Sequence, residues 1–432
     1  MPRPRQITPK QLAEAAYRFF VLGHKQSQIA SDLLPGHRSG QGIVSRWLKD
    51  AEAERIVQYD IDADAALTGV PIKPDETKMV DRFRALSNAH VIDVRRLRSD
   101  YKAEEWDSTL HIALANHAGA VSHGALSVPH QRRNLHIAIA GGRTCVRLAR
   151  VLARTAPGLS EILVTPLGGH IWSGRLWETG AKHTFQLPLN PDYAAVILAS
   201  ELNAAGHTKV RFSQIGRELY AGSEDEARKI IEDRCVFQRA GTWFGGESCD
   251  HAFVGVGCLA QSTHRYAEIL RDDTAGQSPN NEKMAGIRKT LVDNGLPQPG
   301  DIANRFLLAL PRPEFFTVER DLPSLEALYG RLSAEVDAVN ACSVVMDWGH
   351  LKTSGCVWVI AGGPFKIDVL FTLLLYGETR PEGEKARLVS RLVTDTESAD
   401  QLGKWKEAYD GLSSDIRGWY ARLCSRLFSS PG

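Results

Sequence analysis

Two short stretches carry residue types able to hold an anion. The first reads Ile139-Ala140-Gly141-Gly142-Arg143-Thr144. The second reads Ile360-Ala361-Gly362-Gly363-Pro364-Phe365-Lys366. Each follows an apolar run and precedes a helical pattern. A glycine pair lets the backbone turn sharply and approach a ligand closely. The helix that follows offers unpaired N–H groups and the positive end of its dipole, which favour phosphate or carboxylate. Arg143 and Lys366 add positive charge, and Thr144 adds a hydroxyl. Gly168-Gly169 closes a third apolar run, 161–167, and Gly255 and Gly257 close a fourth, 251–257. Ligands of open α/β sheets sit beyond the carboxyl ends of the strands, so four glycine sites at such ends point to one crevice. Tight turns without a ligand are the alternative. These junctions contain neither a Walker motif nor G-x-G-x-x-G, so a nucleotide enzyme of either usual kind is not indicated.

A second set of residues lies near the N-terminus: Arg38, Ser39, Gln41, Ser45, Arg46 and Lys49. Gln and Arg can contact adenine and guanine edges with two hydrogen bonds, and Ser can donate or accept. Arg38 and Lys49 suit phosphates, which set register without reading sequence. Residues 1–49 hold eight Lys/Arg against two acids, a net +6 on a chain whose total is +1, so the remainder carries −5. A basic head on an acidic body fits contact with nucleic acid.

The elements that must position these residues can be read from periodicity. Apolar residues at helical spacing predict helices over 9–22, 26–34 and 41–54, with Gly23 and Pro35-Gly36 as stops. The second and third form a helix-turn-helix whose third helix would enter a major groove. The turn 35–40 is longer than usual, and a three-helix packing or oligomerisation module is the alternative. A short strand is expected over 56–61, and 61–78 reads as a linker. Helices near 78–88 and 106–126 then lead into strands at 135–140, 161–167, 251–257, 306–310, 344–346, 357–361 and 388–393. Strands alternating with helices imply an α/β domain, Rossmann-like, with a mostly parallel sheet covered on both faces.

The expected organisation is therefore a helix-turn-helix domain at 1–60, a linker at 61–78, an effector-binding α/β domain at 79–402 and a C-terminal amphipathic helix at 403–432. In that last segment Leu412, Ile416, Trp419, Leu423 and Leu427 form a stripe that covers the core or makes a subunit contact.

Seven cysteines lie far apart with no C-x-x-C pair, which suits reduced thiols in the cytoplasm. His111, His117, His123, His130 and His136 recur at six or seven residues. A six-residue step rotates 240° around a helix, so His111, His117 and His123 cannot share a metal, and these histidines read as surface or cap residues. No cofactor or metal is expected. The apolar run 369–376 is too short to span a bilayer, and MPRPRQITPK lacks the apolar segment of a signal peptide, so no membrane partner is expected.

The order of these segments resembles the SorC family of sugar-responsive bacterial transcriptional regulators over residues 11–402. The similarity is carried by Gln28-Ile29-Ala30, Val44-Ser45-Arg46-Trp47-Leu48-Lys49-Asp50-Ala51, Ile139-Ala140-Gly141-Gly142, Pro166-Leu167-Gly168-Gly169, Val254-Gly255-Val256-Gly257, Gly300-Asp301-Ile302, Ile360-Ala361-Gly362-Gly363 with Lys366, and Leu392-Val393-Thr394-Asp395. The resemblance implies an effector domain akin to sugar-phosphate isomerases and deaminases, with Gly141, Gly142, Arg143, Thr144, Gly168, Gly169, Asp301 and Lys366 as ligand neighbours. It implies a phosphosugar-like effector, a double-stranded DNA operator and a homodimer or homotetramer. Arg143 stands where the family has a hydroxyl residue, and Asp301 where it has Glu. Two other readings remain: a sugar-phosphate isomerase or deaminase-like enzyme, and a DNA-binding scaffold with a lost effector site. For an enzyme, Asp301, Asp347, His170 and His350 are the acid/base candidates, and they make no recognisable constellation.

Overall fold

The computed structural model describes residues 11, 15, 25–35, 40–53, 72–73, 76–83, 86, 88–92, 103–126, 135–155, 161–168, 191–204, 209–212, 221, 223–232, 249–259, 279–346, 348–379 and 388–428. The chain divides into two compact units, 1–66 and 67–432.

In the first unit, α1 (Gln26–Leu33) and α2 (Gly40–Ala53) pack together. Ile29 and Ala30 of α1 meet Val44 and Leu48 of α2, with Ala15 in the same small core. A methyl group on Gly40 would stand 3.0 Å from Ala30 Cβ, so the two helices approach closely there. Most of the first expected helix, the turn residues 36–39 and the expected strand 56–61 lie outside the described residues.

The second unit is built on one twisted sheet. Its strands are β1 (Ile72–Lys73), β2 (Asn88–Ile92), β3 (Leu135–Ile139), β4 (Ile162–Pro166), β5 (Val210–Phe212), β6 (His251–Cys258), β7 (Gly300–Ile302), β8 (Arg305–Leu307), β9 (Cys356–Ile360) and β10 (Arg391–Asp395). The order across the sheet is β1-β2-β10-β9-β6-β3-β4-β5, with the β7–β8 hairpin attached to β6. From β2 to β5 every neighbour runs parallel; β1 and the hairpin are antiparallel. The inner strands are nearly all buried, which is why they read as continuous apolar runs.

Three helices, α4 (Ala103–Leu126), α5 (Arg143–Thr155) and α6 (Pro191–Ala204), pack consecutively over the β2-to-β5 direction. The chain then reverses and runs β6, β9, β10. Right-handed crossovers place the helices of these return connections on the opposite face. These are α9 (Leu322–Ala341) and α11 (Ile367–Glu378), after α7 (Glu224–Glu232), α8 (Pro279–Asp293) and before α12 (Thr396–Asp410) and α13 (Ser414–Leu427). Short helices α3 (Glu76–Arg82) and α10 (Trp348–Thr353) complete the set. The strand order therefore switches direction between β3 and β6.

Several expectations are corrected. The segment 61–78 is not all linker: β1 and the start of α3 fall inside it, and β1 pairs with β2. The helix expected to reach residue 88 ends at Arg82, because Asn88 opens a buried strand. Residues 344–346 form no strand; Val345 makes a single bridge to Gly168. Only 305–307 of the run around 306–310 is strand. The extended chain beyond it is bonded to side chains: Leu310 N–H donates to Thr372 Oγ1 (2.8 Å), Tyr329 Oη to the Ala309 carbonyl (2.9 Å), and Tyr420 Oη to the Pro311 carbonyl (2.7 Å). Buried backbone groups need such partners when no strand supplies them.

Residue 403 is no boundary, since α12 runs through it. The stripe of the last helix is inside the unit: Trp419, Leu423 and Leu427 are buried, and α13 packs against α9 and α11. The apolar run 369–376 is wholly buried within α11. Among the described residues no helix is long and apolar enough to cross a membrane.

Candidate functional site

The switch between β3 and β6 is where the sequence-marked glycines meet. β3 leads through Ala140 into Gly141, Gly142 and α5. Two strands away, β9 leads through Ala361 into Gly362, Gly363 and the 3-10 turn Pro364–Lys366. β6 lies between them and carries Gly255 and Gly257. At ~4.8 Å per strand, the two junctions are separated by about 10 Å, a span a small ligand can bridge. Both turns use a left-handed glycine: φ is +107° at Gly142 and +92° at Gly363.

Side chains confirm that the junctions converge. Cys145, in the first turn of α5, is fully buried, and burial pushes its thiol up to about 12. Opposing that rise are a hydrogen bond with the Gly255 backbone and the positive charge of Lys366. Lys366 is itself buried, with 6% of its surface exposed. Lys366 is thus inside the protein and near enough to Cys145, in the first turn of α5, to act on its thiol. Arg143 is exposed at the first position of that helix, and Thr144 behind it is buried.

The third wall is α4. His111 Nδ1 lies 2.7 Å from Thr144 Oγ1. The neighbouring Leu110 stands beside the second junction, where a methyl group on Gly363 would come 3.4 Å from its Cδ2. The fourth is the end of β10. Asp395 accepts hydrogen bonds from Gly363 N–H (2.8 Å), Ser398 Oγ (2.7 Å) and Ser398 N–H (3.0 Å), the last capping α12.

Of the residues expected at the ligand, Gly141, Gly142, Arg143, Thr144, Gly362, Gly363 and Lys366 come together here. Gly168 is buried two residues past β4, beside the first junction, and is bridged to Val345. Gly169 lies outside the described residues. Asp301 sits on β7 opposite Gly257, and its Oδ1 accepts from Asn304 N–H (3.2 Å), closing a turn in which Ala303 and Asn304 are left-handed. Of the other acid/base candidates, Asp347 and His170 lie outside the described residues.

Sequence reasoning missed His111, Asp395 and Ser398 as wall residues. It also took His111, His117 and His136 for surface or cap residues; the structure corrects this for His117, which is buried, and leaves His111 and His136 half-buried. His117 is buried, with its ring centroid 5.7 Å from that of His90, and His90 stacks 6.3 Å from Trp358. His136 Nε2 meets Thr165 Oγ1 at 2.9 Å, and its backbone N–H donates to Asp250 at 2.8 Å. Burial lowers the His136 ring to about 4, with Asp250 opposing. Among the described residues no group of three or more His, Cys, Asp or Glu could hold a metal.

In the first unit, α2 sets Gln41, Ser45, Lys49 and Arg46 on one arc of about 140°, at ~100° per residue. Val44 and Leu48 fall just beyond the Gln41 end of that arc and are buried. Gln41, Arg46 and Lys49 are exposed and Ser45 is half-buried. Arg38 and Ser39 lie outside the described residues.

No protein-family model matches the chain, and no curated protein matches it. Among solved structures it is similar to the full-length sorbitol operon regulator SorC of Klebsiella pneumoniae, at 18% identity over 91% of this chain and 98% of that one, TM-score 0.44. It is also similar to a DeoR family transcriptional regulator from Listeria monocytogenes (16%, 79% and 100%, 0.46). A third is a transcriptional regulator from Streptococcus pneumoniae (13%, 79% and 98%, 0.46).

Proposed function

We propose that this chain is a ligand-responsive, DNA-binding transcriptional regulator whose second unit binds a phosphorylated sugar or related small anion. The observation that carries the reading is the convergence of two strand–Gly-Gly junctions with the buried Lys366. A buried lysine close to the first turn of a helix favours negative charge nearby, and the separation of the junctions suits a ligand of sugar size. The arc of Gln41, Ser45, Arg46 and Lys49 on α2, with Arg38 and Ser39, supplies a surface for a double-stranded operator. A homodimer or homotetramer in the cytoplasm fits a near-palindromic operator. Coupling then requires that the effector bind one arrangement of the protein better than another.

An enzyme gains no specific support. The carboxylate nearest the second junction, Asp395, is taken up by three hydrogen bonds that shape the turn.

The test is binding of the full chain to the DNA upstream of its own coding region, titrated with salt, with and without a panel of sugar phosphates. Fragment-specific, salt-sensitive binding that one compound shifts is the expected result. Absence of specific binding under every condition, or turnover of a sugar phosphate by the purified chain, would overturn it.

A further inference from the structure

We propose that His111 is a positioning residue of the effector site, which orients the Thr144 hydroxyl so that its proton faces the ligand and thereby selects an anionic group over a neutral sugar hydroxyl. The inference rests on the effector-site reading above.

Thr144 occupies the second position of α5 and is buried, so few arrangements of its hydroxyl are open. A hydroxyl has one proton and two lone pairs. When Nδ1 of His111 carries hydrogen, it donates across the 2.7 Å contact to Oγ1 and leaves the hydroxyl proton for another acceptor. When Nδ1 is bare, the hydroxyl spends its proton on the ring and turns only lone pairs towards the crevice. Lone pairs repel an oxyanion. The charge of Lys366 and the positive end of α5 invite an anion, so the bound state selects the form with hydrogen on Nδ1.

The position of the ring is over-determined. Leu110 stands against Gly363, and Leu114, one turn on, stands 3.3 Å from where a methyl group on Gly362 would lie. The first half of α4 thus packs against the second junction while His111 meets the first at Thr144, so one helix touches both. A neutral hydroxyl can donate as well as accept and would bind either form. An oxyanion only accepts, so the orientation of Thr144 decides its affinity.

The test is calorimetric titration of the full-length protein with inorganic phosphate, with triose, pentose and hexose phosphates, and with the matching free sugars. The variants are H111A, H111N, H111Q and K366A. An Asn amide N–H falls where Nδ1 lies in the native ring, whereas the longer Gln places its amide further out. The expected result is a wild type that prefers a phosphorylated compound, a tenfold to hundredfold loss in H111A, recovery of most of that loss in H111N, and none in H111Q. Affinity for free sugars should change by less than twofold, and the unliganded melting temperatures should stay within a few degrees.

If the wild type binds no phosphorylated compound, the effector-site reading fails and this inference with it. If K366A loses the ligand while H111A keeps it, the site stands and the inference alone is wrong. If H111N regains stability without regaining affinity, the ring is only a packing element and the inference is likewise wrong.

Discussion

Gly362→Ala should be among the most damaging single-methyl changes in the second unit. A Cβ at this position would lie 2.3 Å from Asp395 Oδ2, 3.3 Å from its Cγ and 3.3 Å from Leu114 Cδ1. Asp395 is only 1% exposed, so its carboxylate has no solvent to retreat into. Moving Oδ2 breaks its bonds from Gly363 N–H and Ser398 Oγ, while Oδ1 keeps Ser398 N–H and Gly363 N–H keeps its second acceptor, Ser398 Oγ (3.0 Å). Hydrogen bonds to a charged group are worth ~1.5–3 kcal/mol each, so the loss is about 3–6 kcal/mol. The stiffer unfolded chain returns about 0.4–1 kcal/mol, leaving a net of about 2–6 kcal/mol. Urea unfolding followed by tryptophan fluorescence reads this unit, because eight of the nine tryptophans lie after residue 66. At a slope of about 3 kcal/mol per molar, a 3 kcal/mol loss lowers the midpoint by about 1 M. A double-mutant cycle with D395A identifies the cause: G362A should cost much less once the carboxylate is gone. A wild-type midpoint in G362A, or an undiminished cost in the D395A background, would refute the reasoning.

Gly142→Ala isolates backbone strain, since φ is +107° and nothing lies within 4 Å of the added methyl. It should cost about 1–2 kcal/mol by the same unfolding measurement, and no cost would mean the turn relaxes freely. His136 makes stability depend on pH. Its folded value of about 4 lies below the ordinary 6.5, so its contribution is complete above about 6.5 and is lost as pH falls towards 4. At ~1.4 kcal/mol per unit the loss is at most about 3.5 kcal/mol, and H136Q should flatten the acid slope by that amount; matching slopes would remove His136 from the account. Replacing Arg46 by Ala should weaken operator binding by roughly 1–3 kcal/mol in a gel-shift titration, and unchanged affinity would take it out of base recognition. Replacing Lys366 by Ala should leave DNA binding by the free protein intact and abolish the effector response, and a surviving response would misplace the anion site.

The strands that bind the crevice were readable because they are buried on both faces. The runs at 135–140, 251–257 and 357–361 need little besides apolar residues to sit inside a parallel sheet. β2 was missed because Asn88 and His90 interrupt its pattern. His90 sits indoors beside the ring of His117 and the face of Trp358, and those partners are distant in sequence. The extended chain at 308–311 looked like strand for the same reason it is buried, and its side-chain hydrogen-bond partners could not be foreseen. The glycines and Lys366 were visible because backbone turns and charge leave local marks. His111 left none: its role depends on α4 lying across both junctions. Asp395 and Ser398 did carry a signal, the Asp-x-x-Ser spacing of a helix cap, ahead of α12.

The place of β10 between β2 and β9 has a consequence for how the protein is made. β2 has its parallel partner only when β10 arrives, roughly 300 residues later in the chain. At about 5–20 residues per second, a nascent β2 waits on the order of 15–60 s with a bare edge. The small helical head emerges first and is free of this delay. The large unit cannot close its sheet until β10 has left the ribosome, so late closure is built into its topology.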